Sequence, residues 1–171
     1  MSDLRFDPAE MRARGYDTAS VAEAERAFEA RTKAYTLLSR IDATFQGIPK
    51  PAITLSVAAA LDDEWLVSKD RMEELRASDL ETSWRDVSEE AVRAHQSYFT
   101  FADAEGCRFY LPAYMVAYLR DFPYSGYDAV YWACIDSAKI AALTIEEKEC
   151  AGAFVDLCHE YQSEMFPPGN A

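Results

Sequence analysis

The chain has 171 residues, half of them hydrophobic, and its 30 acidic and 17 basic residues give a formal net charge of −13. A sequence of this length and apolar content normally folds as one domain and needs no structural metal or disulfide. The acidic excess argues against nucleic-acid and anionic-membrane partners, which basic patches bind. Since no segment approaches the ~20 consecutive apolar residues of a membrane span, we expect a cytoplasmic protein that acts away from membranes.

The acidic charge is distributed unevenly along the sequence. Residues 1–50 hold eight acidic and eight basic residues, so the entire excess lies in residues 51–171. Residues 1–17 mix charges with a proline and a glycine and show no periodicity, which predicts a flexible N-terminal arm. Residues 18–163 are predicted to form one helical domain, and residues 164–171 a disordered tail.

The first long helix is predicted to begin at Ser20. Ser20 and Glu23 form a capping-box pattern, in which each side chain satisfies a backbone N–H group at the helix start. The helix is expected to run to about Phe45, because apolar residues recur on one face at alternating spacings of four and three. These residues are Ala34, Leu38, Ile41, Phe45 and Ile48.

Shorter helices are predicted in the middle of the chain. Thr54 is a natural N-cap for an alanine-rich helix, and Ser88 for another that runs to about Tyr98. An amphipathic segment lies between them, from Lys69 to about Ser78. Its inward-facing residues are expected to be Met72, Leu75 and Leu80.

The segment from Phe99 to Pro123 is predicted to form a short β-hairpin followed by a helix. Alternating phenylalanines flank an Ala-Glu-Gly turn, which favours the hairpin, and Pro112 suits the first turn of a helix. On that helix, one side is predicted to be core and the adjacent side to be its edge. The core side contains Leu111, Met115, Leu119 and Phe122, and the edge contains Tyr110, Tyr114 and Tyr118.

Two further elements follow. Residues 129–135, AVYWACI, are compatible with either a buried strand or a buried helix, since their length does not separate the two. Thr144 and Glu147 form a second capping box, which opens the last helix. The fold class is therefore mainly α, a single compact helical domain with at most a small β-hairpin.

No catalytic set or cofactor motif is recognisable in the sequence. Cys158 and His159 are neighbours on a predicted helix and point about 100° apart, so they cannot act as nucleophile and base. His95 is expected to be a structural histidine. The four cysteines lack metal-binding spacing and are expected to be reduced and mostly buried. We expect no cofactor and no metal.

Two groups of charged residues are candidates for partner binding. Asp62, Asp63 and Glu64 diverge on a helix and include no calcium-loop glycine, so a solvated or protein-docking face is favoured over a metal site. Glu105 and Arg108 bracket a glycine between aromatic residues. They form either an ion pair that fixes the turn or part of a ligand pocket.

Four segments resemble, in order, an uncharacterised family of small bacterial proteins, a domain of unknown function. They are "RIDATFQGIPKPAITLSVAAALDD", "WRDVS", "YFTFADAEGCRFYLPAYMVAYLRD" and "LTIEEKECAGAFVDLCHEY". They cover roughly residues 37–161, and the most specific is the E-G-x-R-[FY]-Y-L-P-A-Y pattern. The resemblance implies a mainly helical fold and an association with immunity proteins, which protect bacteria from toxins.

Two hypotheses about function follow. The first is a non-catalytic, immunity- or antitoxin-like protein that neutralises a basic protein partner by docking, through residues 62–64, Glu105, Arg108, Tyr114 and Tyr118. The second is an enzyme or small-ligand-binding protein with a pocket around Glu105, Arg108 and Tyr114. Self-association is compatible with both, and the acidic charge could also serve solubility alone.

Overall fold

The computed structural model describes residues 7–166. Within that range it contains nine α-helices, one 3₁₀ helix and no strand, which confirms the predicted single, mainly helical domain. The α-helices are α1 (Pro8–Ala13), α2 (Thr18–Thr44), α3 (Leu55–Asp63), α4 (Lys69–Ser78), α5 (Glu89–Ala94), α6 (Tyr98–Phe101), α7 (Ala104–Arg120), α8 (Ala129–Ile135) and α9 (Ile145–Tyr161). The 3₁₀ helix, Trp84–Asp86, lies between α4 and α5.

Helix α7 lies at the centre of the fold. It packs against α2, α5, α8 and the 3₁₀ helix. Eleven of its 17 residues are buried, including Leu111, Met115 and Leu119, as predicted. The solvated side of α7 is narrow and holds none of its tyrosines, and the helix forms the core on several other sides at once.

The predicted hairpin at residues 99–109 is wrong. Residues of this segment form α6 and the start of α7 instead, because Asp103 caps α7 by accepting a hydrogen bond from the backbone N–H of Gly106 at 2.7 Å. Gly106 therefore lies in the first turn of a helix. Pro112 lies inside α7 rather than at its start, where it removes one backbone hydrogen bond but is buried in the core.

The N-cap of helix α2 lies three residues before the predicted cap, Ser20. Its N-cap is Asp17, whose carboxylate accepts hydrogen bonds from the backbone N–H of Ser20 at 3.0 Å and from its hydroxyl at 2.6 Å. Ser20 is thus inside the first turn and does not cap the helix. A carboxylate is favoured here because it also meets the positive end of the helix dipole.

The other predicted helix starts are confirmed. Thr54 precedes α3 as its N-cap, and α4 spans Lys69–Ser78. Ser88 caps α5 by accepting a hydrogen bond from the N–H of Ala91 at 3.1 Å. Thr144 and Glu147 form the complete capping box of α9. Residues 129–135, for which two states were open, form the helix α8.

A helix forms within the predicted N-terminal arm, and a packed residue lies within the predicted C-terminal tail. Part of the expected flexible arm forms α1, which Asp7 caps. In the expected tail, Phe166 is buried and its ring stacks on Tyr131 at a centroid distance of 4.0 Å. Residues 1–6 and 167–171, the rest of the predicted arm and tail, lie outside the described residues.

All four cysteines are buried and unpaired, as predicted for reduced thiols. Burial raises the pKa of the Cys107 thiol to about 11 and that of Cys158 to about 12. They are consequently apolar core residues at neutral pH. Between residues 7 and 166, no helix combines the length and the hydropathy that crossing a membrane requires.

Candidate functional site

The seven residues predicted to contact a partner fall into two separate regions. Residues 62 and 63 end α3, and Glu64 follows as its C-cap; all three are exposed. The other four lie on the central helix α7: Glu105, Arg108, Tyr114 and Tyr118. The two regions differ in whether their side chains are already engaged within the fold.

Tyr114 and Tyr118 are buried rather than placed at the edge of the core, which corrects the prediction for both. The hydroxyl of Tyr114 donates to the carbonyl of His95 at 2.6 Å, and that of Tyr118 donates to Oε1 of Gln162 at 2.6 Å. Burial raises the pKa of both phenols, so they remain protonated donors. Their rings and hydroxyls stabilise the packing of helices and are not exposed to a partner.

The guanidinium of Arg108 is paired with the buried carboxylate of Glu147 on α9. Nε lies 2.9 Å from Oε2 and Nη2 lies 3.1 Å from Oε1, a bidentate arrangement. The pair raises the pKa of Arg108. The same carboxylate accepts a hydrogen bond from the backbone N–H of Thr144 at 2.8 Å. It therefore caps α9 and at the same time connects α9 to α7. The expected ion pair of Arg108 is thus made with Glu147 rather than with Glu105.

The alternative pocket around Glu105, Arg108 and Tyr114 does not form. Successive residues of an α-helix point about 100° apart, so Glu105 and Tyr114 leave α7 on opposite sides. Glu105 is exposed and Tyr114 is buried. These three described side chains therefore line no common cavity.

Gly106, the glycine between Glu105 and Arg108, is required by close packing. A methyl group at this position would lie 2.5 Å from the hydroxyl of Tyr98 and 3.3 Å from the carbonyl of Ile53. Those two groups are joined by a hydrogen bond of 2.8 Å. The E-G-x-R-[FY]-Y-L-P-A-Y pattern thus describes the packing of α7. Its glycine leaves room for the hydroxyl of Tyr98, its arginine forms an ion pair with α9, and its aromatic residues fill the core.

The most exposed large hydrophobic side chains of the described residues flank α4. Trp65 has 103% of its reference exposure, Leu66 85% and Leu80 86%. Trp65 and Leu66 directly follow the acidic residues 62–64, and Leu80 lies two residues beyond the other end of α4. The prediction that Leu80 faces inward is wrong. We call residues 62–66 together with Leu80 the α3–α4 surface.

Polar contacts hold the C-terminal end of helix α4 to the fold. None of its own residues is buried. Asp79 accepts the backbone N–H of Ser56 in the first turn of α3 at 3.1 Å, and Arg76 donates to the carbonyl of Pro51 at 2.8 Å. These bonds fix the C-terminal end of α4 against the start of α3. The connection that carries Trp65 lies at the opposite ends of the two helices.

The electrostatic character of this region is strongly negative. Residues 62–81 contain eight acidic and three basic residues. Glu64 has a loose ion pair with Arg71 at 3.6 Å, whereas Asp62 and Asp63 have no ion-pair partner among the described residues. The α3–α4 surface therefore combines exposed apolar side chains with carboxylates that remain open to a cation.

The apolar part of this surface was missed from the sequence, although a signal was present. In "LDDEWLVSKD", Trp65 and Leu66 lie between two predicted helices and next to three acidic residues. A tryptophan in a connection between two helices does not lie on the buried face of either helix. This position distinguishes Trp65 from the aromatic residues of the core.

The sequence model of a family of unknown function, DUF6714, matches residues 33–156. The chain belongs to this family. The DUF6714 match begins within α2 and ends within α9, and it includes the α3–α4 surface and all of α7. Neither a curated protein nor a solved structure matched the chain. Membership of DUF6714 agrees with the resemblance to an uncharacterised family and assigns no activity to the chain.

The histidines of this DUF6714 protein are engaged in structural contacts. Nδ1 of His95 lies 2.9 Å from the carbonyl of Ala91, and Nε2 of His159 lies 2.8 Å from the hydroxyl of Tyr131. Within the described range, no group of three or more His, Cys, Asp or Glu side chains is arranged to hold a metal ion. The α3–α4 surface is chemically suited to recognition by contact and charge.

Proposed function

We propose that this protein is a non-catalytic binding protein that docks a basic protein partner through the α3–α4 surface. The observation that carries the proposal is the complete exposure of Trp65, beside Leu66 and three carboxylates. Tryptophan is the residue most enriched at the energetic centres of protein interfaces, where its large ring fills a pocket of the partner.

The charge of the surface favours a basic partner. Residues 62–64 lie next to the exposed ring, and their carboxylates attract a positively charged surface before contact is made. Helix α4, with ten residues, spans about 15 Å between Leu66 and Leu80. That length suits a docking patch of roughly 800 Å² on each partner, the size typical of stable complexes.

Within this proposal, the partner is a toxin and the protein acts in the manner of a bacterial immunity protein or antitoxin, by stoichiometric docking in the cytoplasm. Two observations support this: the small size of the domain and the acidic excess after residue 50. The resemblance to an uncharacterised bacterial family also implies an association with immunity proteins. A protein that neutralises by binding needs a complementary surface and no reacting groups.

The test uses the product of the adjacent gene as the partner. The two proteins are co-expressed and purified, and association and dissociation rates are measured at low and high salt. We expect Trp65→Ala to raise the dissociation constant by at least about 30-fold, mainly through faster dissociation. The combined change Asp62→Lys and Asp63→Lys should slow association about tenfold at low salt, and less when salt screens the charges.

Trp132→Ala is the matched control, because Trp132 is a half-exposed tryptophan on α8 and lies outside the α3–α4 surface. It should leave both rates unchanged. A complex whose affinity is the same in Trp65→Ala and in wild type would contradict the proposed site. Failure of the wild-type protein to bind the adjacent gene product would contradict the proposed partner.

A further inference from the structure

A groove with apolar and charged walls is formed without residues of α3 or α4. It has a volume of about 310 Å³ and is formed by α2, the 3₁₀ helix, α5 and α7. Leu38, Trp84, Val116 and Ala117 supply apolar walls, and Asp42 and Arg120 lie among its charged residues. The groove is large enough to receive an aromatic side chain of another molecule.

The wall that α2 contributes to this groove continues as an exposed aromatic stripe. Phe28 and Tyr35 are 60% and 61% exposed, on a helix whose buried face consists mainly of alanine. Residues seven apart on a helix nearly share a direction, so Phe28, Tyr35 and Asp42 lie along one side of α2. The stripe and the groove are therefore parts of one continuous face.

This face is close to electrically neutral, whereas the chain as a whole is strongly acidic. Asp42 pairs with Arg85 at 2.6 Å, and Glu89 lies 3.9 Å from Arg120. The first 50 residues, which include α2, carry equal numbers of acidic and basic residues. Two copies of a chain with a net charge of −13 repel each other in most orientations, and this face brings them together with little like-charge repulsion.

The positions along α2 fit a two-fold axis. Tyr35 lies midway between Phe28 and Asp42, seven residues from each. If α2 packs antiparallel against α2 of a second copy about an axis at Tyr35, Phe28 of that copy reaches the level of Asp42. That is where the groove opens beside Leu38. The arrangement is self-complementary, since each copy supplies one protruding ring and one groove.

We propose that this protein forms a homodimer in which Phe28 of each copy inserts into the groove beside Leu38 and Asp42 of the other. The two Tyr35 rings meet at the two-fold axis. The contact runs about 21 Å along each α2, from Phe28 to Asp42. No residue of the α3–α4 surface lines the groove, so the proposed dimer and the proposed docking site use different residues.

The test is sedimentation equilibrium of the full chain over a range of protein concentrations. We expect the wild-type protein to be dimeric at about 100 μM. Phe28→Asp should raise the dimer dissociation constant at least about 100-fold, because the two-fold axis places each substitution in the interface twice. Ala117→Arg, which fills the groove from the opposite side, should weaken the dimer in the same way.

Phe28 is exposed in the monomer, so Phe28→Asp should leave the thermal midpoint of the monomer unchanged. A weaker dimer in this variant would then not result from misfolding. Trp65→Ala is the matched control, because it also removes an exposed aromatic ring but one outside the proposed dimer interface. It should leave the dimer dissociation constant unchanged. A wild-type chain that stays monomeric at about 500 μM would overturn the proposal. An unchanged dimer dissociation constant in Phe28→Asp would also overturn it. Loss of binding to the adjacent gene product in that variant would overturn it too, because it would show that this face binds that partner instead of a second copy.

Discussion

The α7 region and the α3–α4 surface use the same kinds of residue for opposite purposes. Both contain aromatic rings beside charged side chains. In α7 the rings of Tyr114 and Tyr118 are buried and their hydroxyls bonded, and the charge of Arg108 is matched by Glu147. At the α3–α4 surface, Trp65 is fully exposed and the neighbouring carboxylates of residues 62 and 63 are unmatched within the described chain.

This difference shows which region can contribute to binding. The rings of α7 already contribute their apolar area and their hydrogen bonds to folding, so a partner could gain nothing from them without unfolding the core. Trp65 contributes little to folding, because almost none of its surface is removed from water. Its burial by a partner remains available as binding free energy.

The largest expected contrast is in stability. Leu119→Ala removes a side chain that is 3% exposed, and we expect it to lower the free energy of unfolding by about 2–5 kcal/mol. Trp65→Ala should change it by less than about 0.5 kcal/mol, since an exposed ring leaves no cavity. Urea denaturation of both variants measures this. Comparable losses would show that Trp65 packs against the fold.

Alkaline pH should weaken the core through its buried thiols. The pKa of Cys107 is raised from 9.0 to about 11, so the unfolded chain releases this proton at lower pH than the folded one. The contribution of the protonated Cys107 thiol to the free energy of unfolding is fully present below pH 9. It should fall by about 1.4 kcal/mol per pH unit as the pH rises from about 9 to 11. Chemical denaturation across this range measures the slope.

The slope should be shallower in Cys107→Ala, which has no thiol to titrate, and unchanged in Trp65→Ala. Because several buried phenols also have a raised pKa, the Cys107→Ala variant should keep part of the alkaline loss. Identical slopes in Cys107→Ala and wild type would mean that this thiol is not buried as described.

Two glycines on central helices provide a finer test of packing. Gly106→Ala should destabilise the protein by about 1–3 kcal/mol, because the added methyl group displaces the hydroxyl of Tyr98. Gly152→Ala on α9 should instead stabilise it by about 0.5–1 kcal/mol, since no atom lies within 4 Å of the new methyl group. Thermal denaturation compares the two, and a stabilising Gly106→Ala would contradict the close approach.

The smallest expected effects separate the tyrosines of α7 by their hydroxyls. Tyr118→Phe removes the donor to Gln162 and should cost about 1–2 kcal/mol of unfolding free energy. Tyr110→Phe should cost less than about 1 kcal/mol, because this buried hydroxyl donates no hydrogen bond among residues 7–166 and only lies near the backbone N–H of Leu55. If both cost the same, the bond to Gln162 does not contribute.

Local sequence signals predicted most of the helices. Thr144 with Glu147, and Ser88 with its acidic first turn, satisfy backbone groups within four residues, so their effect does not depend on the rest of the fold. The capping-box pattern of Ser20 and Glu23 predicts a cap three residues too late, because Asp17 is also a good cap residue. Only the observed hydrogen bonds distinguish them.

Tertiary contacts determine the features that local signals predicted wrongly, namely the structure of residues 99–109 and the burial of several side chains. The hairpin was favoured by alternating phenylalanines and a glycine, but Asp103 caps a helix there and Gly106 is needed for the approach of Tyr98. The spacing of the α7 tyrosines predicts an edge position only if the helix is amphipathic, whereas α7 packs against other helices on several sides. The acidic half of the α3–α4 surface could be predicted, but the exposure of Leu80 depends on how α4 packs.

The most direct test of the central claim is hydrogen exchange of the protein alone and in complex with the product of the adjacent gene. If the α3–α4 surface is the docking site, the amides that gain protection in the complex should be concentrated in residues 62–81, where α4 buries none of its residues in the free protein. Those of α7 should be protected equally in both states. Protection gained mainly in residues 28–42 or in α7, with residues 62–81 unchanged, would contradict the account.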